Sequence, residues 1–184
     1  MKLEIMSEIY VYNKKFEPYL SEKVIAERVR VLGSEISKTY HKENPIFLVV
    51  LNGAFMFASD LLKHFEFDCE VHFIKLSSYV GMESTGDIKT MIGLTEDIEN
   101  RTVIIVEDIV DTGKTLSVLL SQLQQMRPKS LVTCTLLQKT EALQIDVKVD
   151  FIGFEIENKF VVGYGLDYNN RGRNYPVLYQ LSGE

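Results

Sequence analysis

The sequence predicts an α/β fold in which a mostly parallel central sheet is flanked by helices. Apolar runs without a polar break, at 46–51 and 102–106, are typical of strands that are buried on both faces of a sheet. Segments with the three-to-four-residue apolar spacing of helices alternate with such runs, at 22–40 and from Lys114 onward. This alternation favours parallel strands with helices packed on both faces.

Length and composition are those of one globular domain spanning residues 1–184. The net charge of −6 disfavours nonspecific binding to nucleic acid or to a membrane surface. The two cysteines, Cys69 and Cys134, form no CxxC motif and are expected to be buried thiols in a reducing compartment. No apolar run reaches 18 residues, and the N-terminus lacks the apolar core of a signal peptide, so we expect a cytoplasmic protein.

Residues 1–20 show little apolar periodicity, and Pro18 excludes a helix before residue 20. Ser21 is expected to cap the helix at 22–40. Pro45 precedes the strand at 46–51, and a short Asn-Gly-Ala turn at 52–54 leads into a helix at 55–63. Alternating apolar and polar residues at 69–73 predict a half-exposed strand. Residues 77–90 are rich in glycine and serine, which predicts a long loop that is either a lid or plainly disordered, before a short strand at 91–94.

The second half opens on the strand at 102–106, followed by acids and a helix that ends before Pro128. The remaining predicted strands are at 131–137, at 150–154 and, as an edge strand, at 176–181. Lys139 lies just beyond the first of these three. If the strands are parallel, the polar groups at 51–54, 107–115 and 139 lie at the same edge of the sheet, where open α/β sheets bind ligands.

The cluster at this edge suits a phosphorylated sugar. Backbone N–H groups at 112–115 can cradle a phosphate, while Glu107, Asp108 and Asp167 can hold sugar hydroxyls or Mg²⁺. The alternative is an acid-rich helix cap without a ligand. A Walker A motif is excluded because position 108 is aspartate and not glycine. No dinucleotide fingerprint, zinc motif or nucleophile elbow is present.

The stretch from Val103 to Thr115 resembles the phosphoribosyl-diphosphate (PRPP) signature of type I phosphoribosyltransferases, in the form found in the hypoxanthine-guanine enzymes. The resemblance covers nearly the whole chain from about residue 20. It includes Leu51-Asn52-Gly53-Ala54, Ser78-Tyr79, Lys139, Phe151, Asp167 and Arg173. It implies the fold of that family, with a core at about 21–155 and a small hood formed by 1–20 and 156–184.

The resemblance also implies a role for each residue in binding PRPP. Glu107 and Asp108 face the ribose hydroxyls and Mg²⁺. The segment Asp111, Thr112, Gly113, Lys114 and Thr115 wraps the 5′-phosphate, with the Lys114 side chain either at the phosphate or in solvent. Leu51, Asn52, Gly53 and Arg173 bind diphosphate, and Ser78 with Tyr79 belongs to a mobile loop. Family members usually have a basic residue where this chain has Asn52, which predicts weaker diphosphate binding, and a cis peptide that corresponds to Leu51–Asn52.

For the base, the resemblance makes Asp111 the catalytic group beside the purine N7. Lys139 would donate to the 6-oxo group and repel the amino group of adenine. Phe160 would stack on the base unless it is a core aromatic, Val161 would meet the 2-position edge, and Asp167 would lie nearby and bind a second Mg²⁺.

The implied activity is Mg²⁺-dependent salvage of hypoxanthine or guanine by a homodimer or homotetramer, with neither nucleic acid nor membrane as a partner. Two alternatives remain. One is a PRPP-binding regulator of the same fold without catalysis; the other is a transferase for a different base, such as xanthine or a pyrimidine.

Overall fold

The computed structural model describes residues 7–78, 88–92, 94 and 96–183. These ranges contain three α-helices: α1 (Glu22–Tyr40), α2 (Phe55–Leu62) and α3 (Lys114–Gln124). They also contain the following strands: β1 (Ile9–Val11), β2 (Lys14–Leu20), β3 (Ile46–Leu51), β4 (Glu70–Ser78), β5 (Ile88–Ile92), β6 (Thr102–Val110), β7 (Ser130–Gln138), β8 (Phe151–Glu155), β9 (Val161–Val162) and β10 (Leu178–Leu181). No helix in the described ranges is long and apolar enough to cross a membrane.

The main sheet has the strand order β5-β4-β3-β6-β7-β8 among the described residues. Strands β4, β3, β6, β7 and β8 are parallel, and only β5 runs antiparallel, against β4. The predicted α/β fold with a mostly parallel sheet is therefore confirmed.

Helices cover both faces of this sheet because the central strands are apolar on both sides. Phe47 and Val49 of β3 face the core shared with α1 and α2, whereas Ile46, Leu48 and Val50 face the core shared with α3. Ser21 caps α1 as expected, since its hydroxyl accepts a hydrogen bond from the Val24 amide at 3.3 Å.

A second sheet, with the order β1-β2-β10-β9, is built from segments near the two ends of the described chain. Its side chains join the core beneath α1: Val161, Tyr164 and Leu178 pack in the same apolar cluster as the helix. The division into a core at 21–155 and a hood at 1–20 and 156–184 stays a prediction, as does the assignment of 1–184 to a single domain.

Residues 9–20, for which only the absence of a helix was predicted, contain β1 and β2, and Pro18 lies within β2. Two predictions about secondary structure were wrong. The strand predicted at the edge, β10, pairs on both sides, with β2 and with β9. The ends of the predicted loop at 77–90 belong to β4 and β5, and the short strand predicted at 91–94 is the end of β5. Tyr79 and the rest of that loop to 87 lie outside the described residues.

Candidate active site

Three polar segments meet at the carboxyl edge of the main sheet, where β3, β6 and β7 end. The Lys139 amide donates to the Val110 carbonyl at 2.9 Å, which joins the end of β7 to the end of β6. Three cavities of about 270, 260 and 220 Å³ adjoin at this edge, and Asp108 lines all of them. A larger cavity of about 530 Å³ lies along α1 and contains none of the predicted site residues.

The first cavity, of about 270 Å³, is formed by the end of β6 and the start of α3. Gly113 has a φ of +79°, and a Cβ added there would lie 2.8 Å from the Ile145 carbonyl oxygen. The turn is therefore closed around glycine at the N-terminus of a helix, where anions bind. Thr112, Gly113 and Thr115 line this cavity, whereas the exposed Lys114 does not.

The two adjacent acids of β6 are both perturbed by their surroundings. Glu107 is 8% exposed, and its Oε2 has no hydrogen-bond partner in the described part of the chain. Burial, followed by the neighbouring Asp108 charge, raises the pKa of Glu107 well above its usual range. Burial raises the pKa of Asp108 to about 6, although amide hydrogen bonds and the Arg173 guanidinium oppose this shift. Both acids lie inside the last part of the strand, and not after it as the sequence suggested.

The second cavity, of about 260 Å³, adjoins the turn after β3. The Leu51–Asn52 peptide is cis, as predicted. A Cβ on Gly53 would lie 1.6 Å from the Asp108 Oδ2 atom, and a Cβ on Gly165 would lie 2.0 Å from the Gly53 carbonyl oxygen. Gly53 is therefore held between the acidic strand and the segment that follows β9.

Arg173 and Asp167 form an ion pair on the wall of this second cavity. Arg173 Nη1 also donates to the Gly165 carbonyl at 2.8 Å, and the other Asp167 oxygen accepts from the Asn170 amide at 2.7 Å. These bonds fix the guanidinium beside the Leu51–Gly53 turn. The turn itself contributes no charged side chain to this cavity.

The third cavity, of about 220 Å³, contains the predicted base-binding residues. Lys139 is 7% exposed, and its Nζ donates to Asp111 Oδ2 at 3.1 Å and to Asn158 Oδ1 at 3.3 Å. Phe160 and Val161 also line this cavity. Phe160 is 39% exposed and stands edge-on to Tyr168, with ring centroids 5.9 Å apart. That exposure argues against the alternative that Phe160 is a core aromatic.

Metal ligands are present, but not as a closed cage. Glu107, Asp108 and Asp167 all line the second cavity, yet within the described residues no three acidic, histidine or cysteine side chains converge on one metal position. Mg²⁺ commonly takes one or two carboxylates and completes its shell with phosphate oxygens and water. These carboxylates thus suit a Mg²⁺ ion that is also coordinated by the phosphate groups of a substrate.

Most of the predicted site residues line these three cavities, whereas Asn158 and Gly165 were not among the predicted residues. Asn158 lies in a polar loop, and only its contact with Lys139 identifies it. Gly165 belongs to no motif in the sequence, and only its φ of +101° and its contact with Gly53 explain the glycine. Of the predicted mobile-loop pair, the Ser78 backbone ends β4, and Tyr79 lies outside the described residues.

Comparisons with known proteins agree with this architecture. Residues 17–169 match the family model described as a phosphoribosyl transferase domain. The hypoxanthine phosphoribosyltransferase of Buchnera aphidicola is 47% identical over 86% of this chain and 92% of that protein. The hypoxanthine-guanine phosphoribosyltransferase of Aquifex aeolicus is 43% identical over 93% and 97%. A crystal structure of the hypoxanthine-guanine enzyme from Bacillus anthracis superposes with a TM-score of 0.84 at 36% identity, covering 89% of this chain and 97% of that one.

Proposed function

The chain belongs to the phosphoribosyltransferase family, in its hypoxanthine-guanine branch, and from this premise we propose that it transfers the phosphoribosyl group of PRPP to hypoxanthine or guanine. The products are IMP or GMP and diphosphate, so the reaction salvages purine bases. The observation that carries the proposal is the contact between Lys139 and Asp111 in the third cavity.

That contact matches one edge of a 6-oxopurine. The 6-oxo group accepts a hydrogen bond, and N7 beside it carries a proton that is lost during transfer. Lys139 offers donors only, whereas the Asp111 carboxylate offers acceptors. A 6-oxopurine faces both groups side by side, with its oxygen at Lys139 and its N7 proton at Asp111. Adenine would place an amino group against the ammonium and is rejected.

The other two cavities accommodate PRPP. The 5′-phosphate binds at 111–115, where the N-terminus of α3 favours an anion. The ribose hydroxyls donate to Glu107 and Asp108, which supplies a partner for the buried Glu107 Oε2 atom. The diphosphate lies against Leu51, Asn52, Gly53 and Arg173. Because Asn52 is neutral, Arg173 carries more of the diphosphate charge than it would beside a basic turn.

During transfer, the base attacks the anomeric carbon as diphosphate leaves, through an oxocarbenium-like ribosyl centre. Asp111 takes or stabilises the N7 proton as the ring becomes a better nucleophile. Phe160 and Val161 hold the base in line with that carbon. Mg²⁺ held by Asp108, Glu107 or Asp167 together with phosphate oxygens would neutralise charge on the departing diphosphate.

The proposal includes a homodimer or homotetramer in the cytoplasm. Val71 and Phe73 of β4 lie in register with Phe47 and Val49, on the face that α1 and α2 cover elsewhere, yet they are 36% and 47% exposed. Burial against a second copy would remove this apolar area from water. Light scattering should give a mass of two or four chains, and Phe73→Glu should lower it.

Both cysteines are free thiols, which suits a reducing compartment such as the cytoplasm.

The test of the activity is a PRPP-dependent assay with hypoxanthine, guanine, xanthine and adenine in parallel. We expect product with hypoxanthine or guanine, in the presence of Mg²⁺, and none with adenine. The relative rates with hypoxanthine, guanine and xanthine are the quantities to be measured. PRPP binding without product from any of the four bases would favour the regulatory alternative and overturn the proposed activity.

A further inference from the structure

Asn158 provides Lys139 with a second hydrogen-bond acceptor besides Asp111. The amide oxygen lies 3.3 Å from the Lys139 Nζ atom, on a segment that connects β8 with β9. That segment is attached to the end of β7, because the Ile156 amide donates to the Gln138 carbonyl at 2.8 Å and the Ile156 side chain is buried. Asn158 is therefore held next to the residue that follows Gln138.

Lys139 needs a second acceptor because it is 7% exposed and has little access to water. In the ligand-free arrangement its ammonium is bound to the carboxylate that must receive the purine proton. When Asp111 turns to the base, Lys139 loses part of that interaction. A buried ammonium without acceptors is unfavourable, so the lysine would otherwise follow Asp111 and compete with the base for its oxygens.

We propose that Asn158 is a positioning residue that holds the Lys139 ammonium at the 6-oxo position of the base while Asp111 is released to the purine N7. This inference rests on the proposed transfer to a 6-oxopurine. Asn158 acts on the lysine and not on the substrate.

The test compares kcat and both Michaelis constants of the wild type, Asn158→Leu and Asn158→Asp. Leucine has a similar shape but no acceptor, so the KM for hypoxanthine should rise about tenfold, the size expected for one hydrogen bond to a charged group. The KM for PRPP should change less than about twofold, because the first two cavities do not include Asn158. Aspartate keeps an acceptor, so Asn158→Asp should retain most of the wild-type affinity for the base.

Gln124→Leu is the matched control, since it removes an exposed amide from α3 away from the cavities. It should leave all three constants unchanged. If Asn158→Leu raises both Michaelis constants equally, or neither, or if Asn158→Asp is as impaired as Asn158→Leu, the positioning role is overturned. A wild type that gives no product would instead overturn the proposed function on which this inference depends.

Discussion

The α-carbon of Gly53 lies directly against the carboxylate of Asp108. A Cβ at Gly53 would be 1.6 Å from Asp108 Oδ2 and 2.3 Å from its Cγ, far inside van der Waals contact. This contact joins the turn after β3 to the acids of β6 and places the proposed diphosphate and ribose positions side by side. Neither element can shift without moving the other.

Gly53→Ala should therefore damage the site more than the fold. The methyl group forces the Asp108 carboxylate or the turn to move, and a displacement of about 1 Å can cost roughly a hundredfold in rate. We expect kcat/KM for PRPP to fall by about that factor in steady-state kinetics. Gly183→Ala, where nothing lies within 4 Å, should keep wild-type kinetics. Equal kinetics for Gly53→Ala and the wild type would contradict this prediction.

The main sheet and the meeting of its polar ends were predictable because they follow from local patterns. A continuous apolar run such as Ile46–Leu51 identifies a strand buried on both faces, and parallel strands place their carboxyl ends at one edge. The second sheet was not predictable in this way. Leu178 pairs with Leu20 across most of the chain, and no short-range pattern connects two residues so far apart.

The site shows the same distinction. Glu107, Asp108 and Asp111 stand out in the sequence because three carboxylates within five positions follow the apolar run at 102–106. The role of Gly165 depends on the Gly53 carbonyl oxygen, which comes from a different part of the chain. Contacts of that kind appear only when the chain is folded.

Asp111→Asn should lower turnover while sparing stability. The amide cannot accept the purine proton as a carboxylate does, so kcat should fall by roughly a hundredfold or more. Asp111 is half-exposed and asparagine keeps an oxygen that can accept from Lys139, so the free energy of unfolding should change by about 1 kcal/mol or less. Rapid-quench assays and thermal unfolding measure the two effects, with the exposed Asp68→Asn as the control. Unchanged turnover in Asp111→Asn would remove this residue from the mechanism.

Arg173→Lys should weaken PRPP binding even though the charge is kept. Arginine contacts the Gly165 carbonyl and Asp167 at the same time, and a single ammonium cannot reproduce this planar arrangement. The KM for PRPP should rise about tenfold, the usual scale for one charge-assisted hydrogen bond, with a smaller change for the base. The neighbouring Arg171→Lys, whose guanidinium lies over the Tyr12 ring, should bind PRPP normally. Similar losses in both variants would argue for a general charge effect.

Glu107→Gln should make the ligand-free protein more stable than the wild type, by an amount that grows as the pH rises. Because burial raises the pKa of Glu107, the folded protein holds this proton more tightly than the unfolded chain, whose glutamate pKa is about 4.3. The free energy of unfolding of the wild type therefore falls as the pH rises from about 4 through the raised pKa. Glutamine does not titrate, so the variant avoids this loss.

Urea unfolding at about pH 5, 7 and 8 measures that difference. The stability gain of Glu107→Gln over the wild type should grow with pH. A gain independent of pH would show that Glu107 does not titrate as burial requires.

Glu107→Gln should also lose affinity for PRPP, because glutamine offers the ribose hydroxyls a weaker acceptor.

Magnesium should bind together with PRPP and not to the protein alone. Across the described ranges no three candidate side chains converge on a metal position, and Asp167 is already paired with Arg173. The raised pKa values of Glu107 and Asp108 further weaken this pair as ligands for a free cation. Calorimetry should detect no stoichiometric Mg²⁺ binding to the ligand-free protein at millimolar concentration, but clear binding of Mg²⁺ with PRPP. A chelator should abolish transfer, and added Mg²⁺ should restore it. Tight Mg²⁺ binding without PRPP would mean that the carboxylates form a resident metal site, contrary to this prediction.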